Sequence, residues 1–313
     1  NFSILSLPDW TGRWMWLQIL WCLDITFITS KVMSWGFEVE NLILIFLKFI
    51  ATISSRLENF IEFFLFISGA FNVLHPGHLR LIKFANINKN QKILDVACGT
   101  WVVALAAARS GANVFGSDLT PELLERAEEN NKLFKLNVKF KEADVEKLPY
   151  NDAFFDVVLS QFGHMFAPNP EKALSEMLRV LKPGGTIAFS TWPPELFMGQ
   201  FFQIISKYNP PLSSDFSPPH LWGNVDVVIK RLENRVDEIK FDRDKIISPG
   251  LSISHLLGMF EKGAGPLSKL IEKLSSDPER LYLLRTEILN TISLYFENNS
   301  LRQDYLLTKG IKK

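Results

Sequence analysis

From Ile93 onward, short apolar runs alternate with stretches of helical period. That alternation marks a parallel sheet flanked by helices. The spacing predicts a strand over Lys92 to Ala97, an Ala-rich helix over Val102 to Arg109 and a second strand over Asn113 to Ser117. Gly111 suits the C-terminal cap of that helix, where a left-handed residue is favoured. Thr120-Pro121-Glu122 opens the next helix with a hydroxyl cap, a first-turn proline and a carboxylate at the positive end. A third strand is expected over Val138 to Ala143. The fourth, Phe154 to Ser160, is nearly all apolar, as a strand buried on both faces must be. Asn169-Pro170-Glu171 starts a helix that ends before Lys182-Pro183-Gly184-Gly185, and Thr186 to Thr191 forms the fifth strand.

The pattern is different before residue 70. Charges are sparse and aromatics dense, with Trp10, Trp14, Trp16, Trp21 and Trp35 followed by many Phe. Trp14 to Leu23 is an apolar run broken only by Gln18 and closed by Asp24; no small-x-small site follows, so export is not expected. Asn41 to Ser68 reads as a long helix whose polar residues Lys48, Thr52, Ser55, Asn59 and Glu62 form one narrow stripe. Charges interrupt the run of about 20 apolar residues that a membrane span needs. The order of preference is a helix packed on the rest of the chain or on a partner, then a membrane-surface helix, then a span. An error in the sequence upstream of residue 70 is a further alternative. The chain begins at Asn1 rather than Met, which fits a fragment or a missing start.

Composition narrows the class. The chain has 313 residues, 47% hydrophobic and 22% charged, with a formal net charge of zero. A strongly electrostatic nucleic-acid binder would be basic, so none is expected. Two cysteines, Cys22 and Cys98, do not make a disulfide framework and fit a reducing, cytoplasmic compartment. His75 and His78 are separated by Pro76-Gly77 and are read as loop residues that share no helix face; no metal site is expected.

The chemistry concentrates in ILDVACGTW, Ile93 to Trp101, a strand entering a tight turn and then a helix. Ligands of such folds sit at the carboxyl ends of the strands. Ala97 and Gly99 let the backbone approach a ligand closely, and the helix offers free N–H groups to an anionic group. Asp118, just past the second strand, can accept from both hydroxyls of a ribose. Asp144, past the third, can meet an adenine amino group.

These segments resemble the class I S-adenosyl-L-methionine (SAM)-dependent methyltransferases, in the branch that includes the ubiquinone/menaquinone-type enzymes. The resemblance is carried by ILDVACGT, by GSDLTPELLERAEEN from Gly116, by EADVEKLPYNDAFFDVVLSQFGHMFAPNP from Glu142, by RVLKPGG from Arg179 and by the final YLLTKGIKK. It implies a Rossmann-like seven-stranded sheet with the last strand antiparallel, flanked by helices. Tyr305 to Lys312 fits that last strand, and Val236 to Phe241 the one before it. It also implies that Asp95, Ala97, Cys98 and Gly99 line the methionine part of SAM. Asp118 and Leu119 then hold the ribose, Asp144 and Val145 flank the adenine, and Ser160 and Gln161 close the site under the transferring methyl. Trp101 stands where the family usually has glycine, at the cofactor's amino-acid end. Three readings of it compete: a repacked working pocket, weakened SAM binding or a sequence error. If the indole crowds the cofactor, Trp101→Gly tightens SAM binding.

Each site residue also has a plainer reading. Asp95 and Asp144 can be ordinary strand-end carboxylates, and Cys98 a small packed residue. His164 is the candidate general base for a hydroxyl acceptor, or else a partly buried structural histidine. The FGHMF aromatics suit core and pocket wall. The apolar, proline-stiffened stretch from Trp192 to Trp222 reads as a wall over a hydrophobic small-molecule acceptor, and Ser252 to Asn298 as amphipathic helices of the same cap. The expected organisation is an apolar helical extension over residues 1–70, available for a membrane surface or a partner. A SAM-binding core follows over 71–192, then cap helices with the last two strands over 193–313. A nicotinamide dehydrogenase would need G-x-G-x-x-G after the first strand, which ILDVACGTW lacks. Two rivals remain: a SAM-binding scaffold without catalysis, and a membrane-associated quinone or lipid-precursor methyltransferase.

Overall fold

The computed structural model describes residues 76–99, 101–210 and 217–313. The readings of Trp14 to Leu23, of Asn41 to Ser68 and of the extension over 1–70 lie outside the described residues. The first element is α1 (Pro76–Ala85). Pro76 and Gly77 therefore begin a helix instead of interrupting one, because a proline at the first helical position forfeits no hydrogen bond. This corrects the expectation of a loop at His78; His75 lies outside the described residues.

Strand β1 (Lys92–Val96) leads through α2 (Val102–Arg109) to β2 (Asn113–Asp118), and α3 (Pro121–Leu133) leads to β3 (Lys139–Glu142). Beyond lie β4 (Phe155–Gln161), α4 (Pro170–Val180) and β5 (Leu181–Thr191). Each boundary has a local cause. Gly111 takes φ +83° and its N–H bonds the Ala108 carbonyl, closing α2. Asn169 caps α4 by accepting the Lys172 N–H at 2.9 Å. Thr120 occupies the cap of α3, but its hydroxyl makes no cap bond. Instead the Asp118 carboxylate accepts the Thr120 N–H at 2.9 Å; a charged acceptor makes the stronger bond.

The strand order is β3-β2-β1-β4-β5-β8-β6. Strands β1 to β5 pair in parallel; β8 (Ser300–Lys312) runs antiparallel to both β5 and β6 (Val236–Pro249). A two-residue strand, β7 (Phe296–Glu297), pairs only with β8. This is the Rossmann-like sheet with an antiparallel last strand. The chain winds from β1 toward β3 and then from β4 toward β5. Right-handed crossovers in opposite directions place α2 and α3 on one face and α4 on the other. The reversal between β1 and β4 opens the crevice where such folds bind ligands. The central strands are apolar on both faces, with Ile93, Leu94, Val158, Leu159 and Ile187 all at 0% exposure.

Strands β6 and β8 are longer than expected: β6 runs on past Phe241, and β8 starts before Tyr305. The added half of β6, Asp242-Arg243-Asp244-Lys245, reads as loop because a charged strand at a sheet border lacks an apolar run. Between β5 and β6 lie α5 (Phe197–Tyr208), a 3-10 turn (Pro219–Gly223) and α6 (Val225–Leu232). Between β6 and β7 lie α7 (Ile253–Gly263), α8 (Gly265–Lys273) and α9 (Pro278–Tyr295). Helix α9 packs on α5, α7 and β8, and Phe201 meets Phe260 with ring centroids 5.2 Å apart. Two glycines fasten this cap to the end of β5. A Cβ on Gly199 would lie 2.0 Å from the Pro193 carbonyl oxygen, and one on Gly223 would lie 2.0 Å from that of Trp192. Among the described residues, no helix is long and apolar enough to cross a membrane.

Candidate active site

The turn after β1 is built from backbone geometry. Ala97, Gly99 and Trp101 take φ of +52°, +55° and +96°, left-handed values at alternate positions. A Cβ at Gly99 would meet nothing within 4 Å, so the turn has open space beside it. Asp95 is buried beneath, and its Oδ2 has no partner. Burial pushes its pKa from 3.8 to about 8; the Ala104 N–H opposes that rise and the neighbouring Asp118 adds to it. Cys98 donates its N–H to the Ser117 carbonyl at 2.9 Å. Its Sγ lies 3.1 Å from where a Gly116 Cβ would sit, and burial pushes the thiol pKa well up. Cys98 is a packed thiol, and the missing Gly116 side chain makes room for it and, more closely, for the Phe140 ring.

Asp118 ties the ends of β1 and β2 together. Its Oδ2 accepts the Gly99 N–H at 2.8 Å while Oδ1 takes Thr120. Leu119 beside it is 64% exposed, a bare apolar surface at the strand end. The Asp118 carbonyl accepts the Ala143 N–H at 2.9 Å, which sets Asp144 and half-buried Val145 at the next position along the edge. Asp144 is exposed and accepts the Glu146 N–H at 2.8 Å, a local turn that orients its carboxylate.

The end of β4 closes on this turn. Ser160 Oγ donates to the Val96 carbonyl at 2.8 Å and accepts the His164 N–H at 3.1 Å. Gly163 presses on the same turn: a Cβ there would lie 2.5 Å from that of Ala97. Sequence reasoning gave Gly163 no role. The available signal was a glycine two residues past a buried strand, opposite another small residue. Gln161 ends β4, and Phe162 follows in a left-handed conformation, φ +61°. The Phe162 ring stacks on Trp192 at 3.9 Å and 6°, and Tyr305 of β8 meets its edge at 5.8 Å.

Two residues sit away from this edge. Trp101 turns its indole outward to stack on Phe134 at 5.4 Å. It packs with Leu105 of α2 and Ala127 of α3, flanked by Leu136 and Phe140. The indole thus fills the seam between two helices, which, of the three readings of Trp101, suits a repacked turn. The backbone nonetheless keeps the left-handed shape that glycine adopts without strain. His164 is at 0% exposure, wedged between Phe189 and Trp222, each 4.7 Å away. Burial, helped by the Arg231 charge, lowers its pKa to about 3. Phe189 and Ser190 are successive on β5 and point to opposite faces, so His164, packed on Phe189, lies across the sheet from the Ser190 side chain. This placement corrects its candidacy as general base; a buried structural histidine is the reading the geometry favours. No group of three or more potential metal ligands occurs among the described residues.

Gly99 and Asp118 are thus bonded across two strand ends, with Asp95, Ala97, Cys98 and Ser160 gathered around the same turn and Leu119, Asp144, Val145 and Gln161 along the same carboxyl edge. A doubly wound sheet with such a cluster at its switch point defines a class, the proteins that hold a nucleotide-like ligand there. Comparison narrows the class. A family model described as "Methyltransferase domain" matches residues 94–189. The uncharacterized protein Rv1405c of Mycobacterium tuberculosis is 31% identical over 242 residues, covering 77% of this chain and 88% of its own. The YcgJ protein of Bacillus subtilis has a similar fold, with TM-score 0.54 at 19% identity over 76% of this chain and 99% of its own. Phosphoethanolamine N-methyltransferase 2 of Haemonchus contortus, solved with SAM, has TM-score 0.51 at 17% identity, over 80% of this chain and 56% of its own. The chain belongs to the class I SAM-dependent methyltransferase family.

Proposed function

We propose that this protein transfers the methyl group of SAM to a small, largely hydrophobic acceptor. The observation that carries the reading is the clasp between the turns after β1 and β2: Asp118 grips the Gly99 amide at 2.8 Å beside an open space, over an unpartnered buried oxygen of Asp95. These residues fit the cofactor. An unpaired buried carboxylate suits a ligand bearing an ammonium and a sulfonium, and the N-terminus of α2 suits its carboxylate. Asp95, Ala97, Cys98 and Gly99 hold the amino-acid end, with Trp101 shaping the turn from behind. Asp118 and Leu119 take the ribose, Asp144 and Val145 the adenine, and Ser160 and Gln161 lie beneath the sulfonium.

When bound, the cofactor supplies a methyl carbon primed for displacement. The chain supplies alignment and the exclusion of water, and positioning alone is worth about 7–11 kcal/mol in well-oriented systems. Residues 71–192 act as the cofactor core and 193–313 as the acceptor cap. The test is to incubate the full chain with methyl-labelled SAM and a host metabolite extract. A labelled small molecule and released S-adenosylhomocysteine (SAH) are expected. Tight SAH binding with no labelled product would favour a SAM-binding scaffold instead.

A further inference from the structure

The acceptor's chemical class is written on one face of the sheet. Gln161 of β4 pairs in register with Ser190 of β5, and Ser190 with Leu307 of β8. Side chains two apart on a strand share a face, so Tyr305 stands with Leu307, and Trp192, just past the end of β5, meets the Tyr305 ring with centroids 6.4 Å apart. Gln161, Ser190, Trp192 and Tyr305 therefore line one surface at the carboxyl edge, and Phe162 lies flat on Trp192. Gln161 Oε1 and Ser190 Oγ, like the Tyr305 hydroxyl, are buried on it without hydrogen-bond partners. Phe162 holds a left-handed backbone, donating its N–H to the Ser190 carbonyl at 3.1 Å. Strained, unpartnered positions of this kind collect where a ligand binds. Arg80, the cation beside Tyr305, is already paired with Asp244.

We infer that the acceptor is a flat, uncharged molecule that rests on the Phe162–Trp192 pair and presents an O–H or N–H group to Gln161 and Ser190, and that this heteroatom takes the methyl. The inference rests on the methyltransferase reading above. An amide oxygen only accepts, so its missing partner is a donor. Stacked rings offer a planar apolar wall, and a charged group placed there would lose its hydration without a counter-ion. In the reaction the heteroatom's lone pair forms the new bond to carbon. The carbon–sulfur bond breaks with its electron pair returning to sulfur, and the heteroatom's proton leaves to water.

Three soluble probes separate the terms: 7-hydroxycoumarin, coumarin and coumarin-3-carboxylate. Their binding to the full chain is measured by calorimetry with SAH present, below the pH at which the phenol ionises. The hydroxylated ring should bind about tenfold tighter than coumarin, since a site built around a donor rejects the analogue lacking it. The carboxylate should bind weakest. Gln161→Leu should erase the hydroxyl preference while coumarin still binds, and Trp192→Leu should weaken both neutral rings. SAH is titrated in each experiment. Failure of SAH itself to bind overturns the methyltransferase reading. Normal SAH binding with equal, absent or carboxylate-favouring probe binding overturns the acceptor class alone.

Discussion

The two halves of the carboxyl edge are made differently. On the cofactor side, from β1 to β3, the shape comes from backbone turns with left-handed residues, carboxylates gripping amides, and small residues where chains touch. On the acceptor side, from β4 to β8, it comes from large side chains: Phe162 on Trp192, Tyr305 at their edge, and Phe197, Phe201 and Phe260 behind. The first kind of site is dictated locally and suits a ligand shared by a family. The second depends on the mutual fit of distant side chains and suits a ligand of this chain's own.

If that division holds, substitutions should separate stability from cofactor binding in a defined way. The largest effect is expected at Trp101. Trp101→Gly relieves a left-handed non-glycine backbone, worth about 1–2 kcal/mol. It also empties the seam between α2 and α3, where losing a large aromatic costs about 3–5 kcal/mol. Urea melts should show a net loss of about 2–3 kcal/mol, with SAH affinity in calorimetry unchanged. Tighter SAH binding by the variant would restore the crowding idea.

Asp118→Ala should act the opposite way, on the ligand more than on the fold. It removes the carboxylate set against the ribose hydroxyls, where one charge-assisted bond is worth about 1.5–3 kcal/mol, while the freed Gly99 and Thr120 amides can turn to water. SAH binding should weaken by roughly 10–100-fold. Unchanged affinity would remove Asp118 from the site.

A pH series sharpens the role of Asp95. Its carboxyl is neutral below about 8 in the folded chain. A cationic ligand prefers the ionised form, so SAM affinity should rise about tenfold from pH 7 to pH 9. In Asp95→Asn that rise should vanish. The sign for stability is the reverse. The unfolded chain ionises this group near 3.8, so its contribution falls as pH climbs from there to about 8 and then levels off. Comparing the melting of the wild type with that of Asp95→Asn isolates it.

The smallest effect is expected at His164. With a pKa of about 3, it is already neutral across the working range. His164→Phe deletes two unpartnered nitrogens from an aromatic nest and should change stability by less than about 1 kcal/mol. Turnover of the labelled product should persist. A lost acidic limb in the pH–rate profile would return the imidazole to the chemistry.

The same division explains what the sequence discloses. The cofactor turn is legible because each position has a local cause: a strand end, a glycine with open space, an acid one residue past an apolar run. The helix boundaries at Gly111 and Asn169 are legible for the same reason. Arg179 shows the limit. The RVLKPGG motif marks it, but only the structure shows it holding the loop before β4 through the Leu148 and Tyr150 carbonyls, each at 2.8 Å. The outward turn of Trp101 depends on Phe134 and Ala127, which no local pattern links to it. The same holds for the wall formed by Phe162, Trp192 and Tyr305. The far half of β6 is hidden because its side chains are charged and its pairing comes wholly from β8.

The two glycines that fasten the cap set a condition on remodelling it. Any transplanted segment between β5 and β6 has to pass backbone against backbone at Gly199 and Gly223. Helices between those contacts can be exchanged as cassettes, but an added methyl at either contact would pry the cassette away from the catalytic edge. Engineers seeking new acceptors should therefore vary what lies between the rivets and leave the rivets alone.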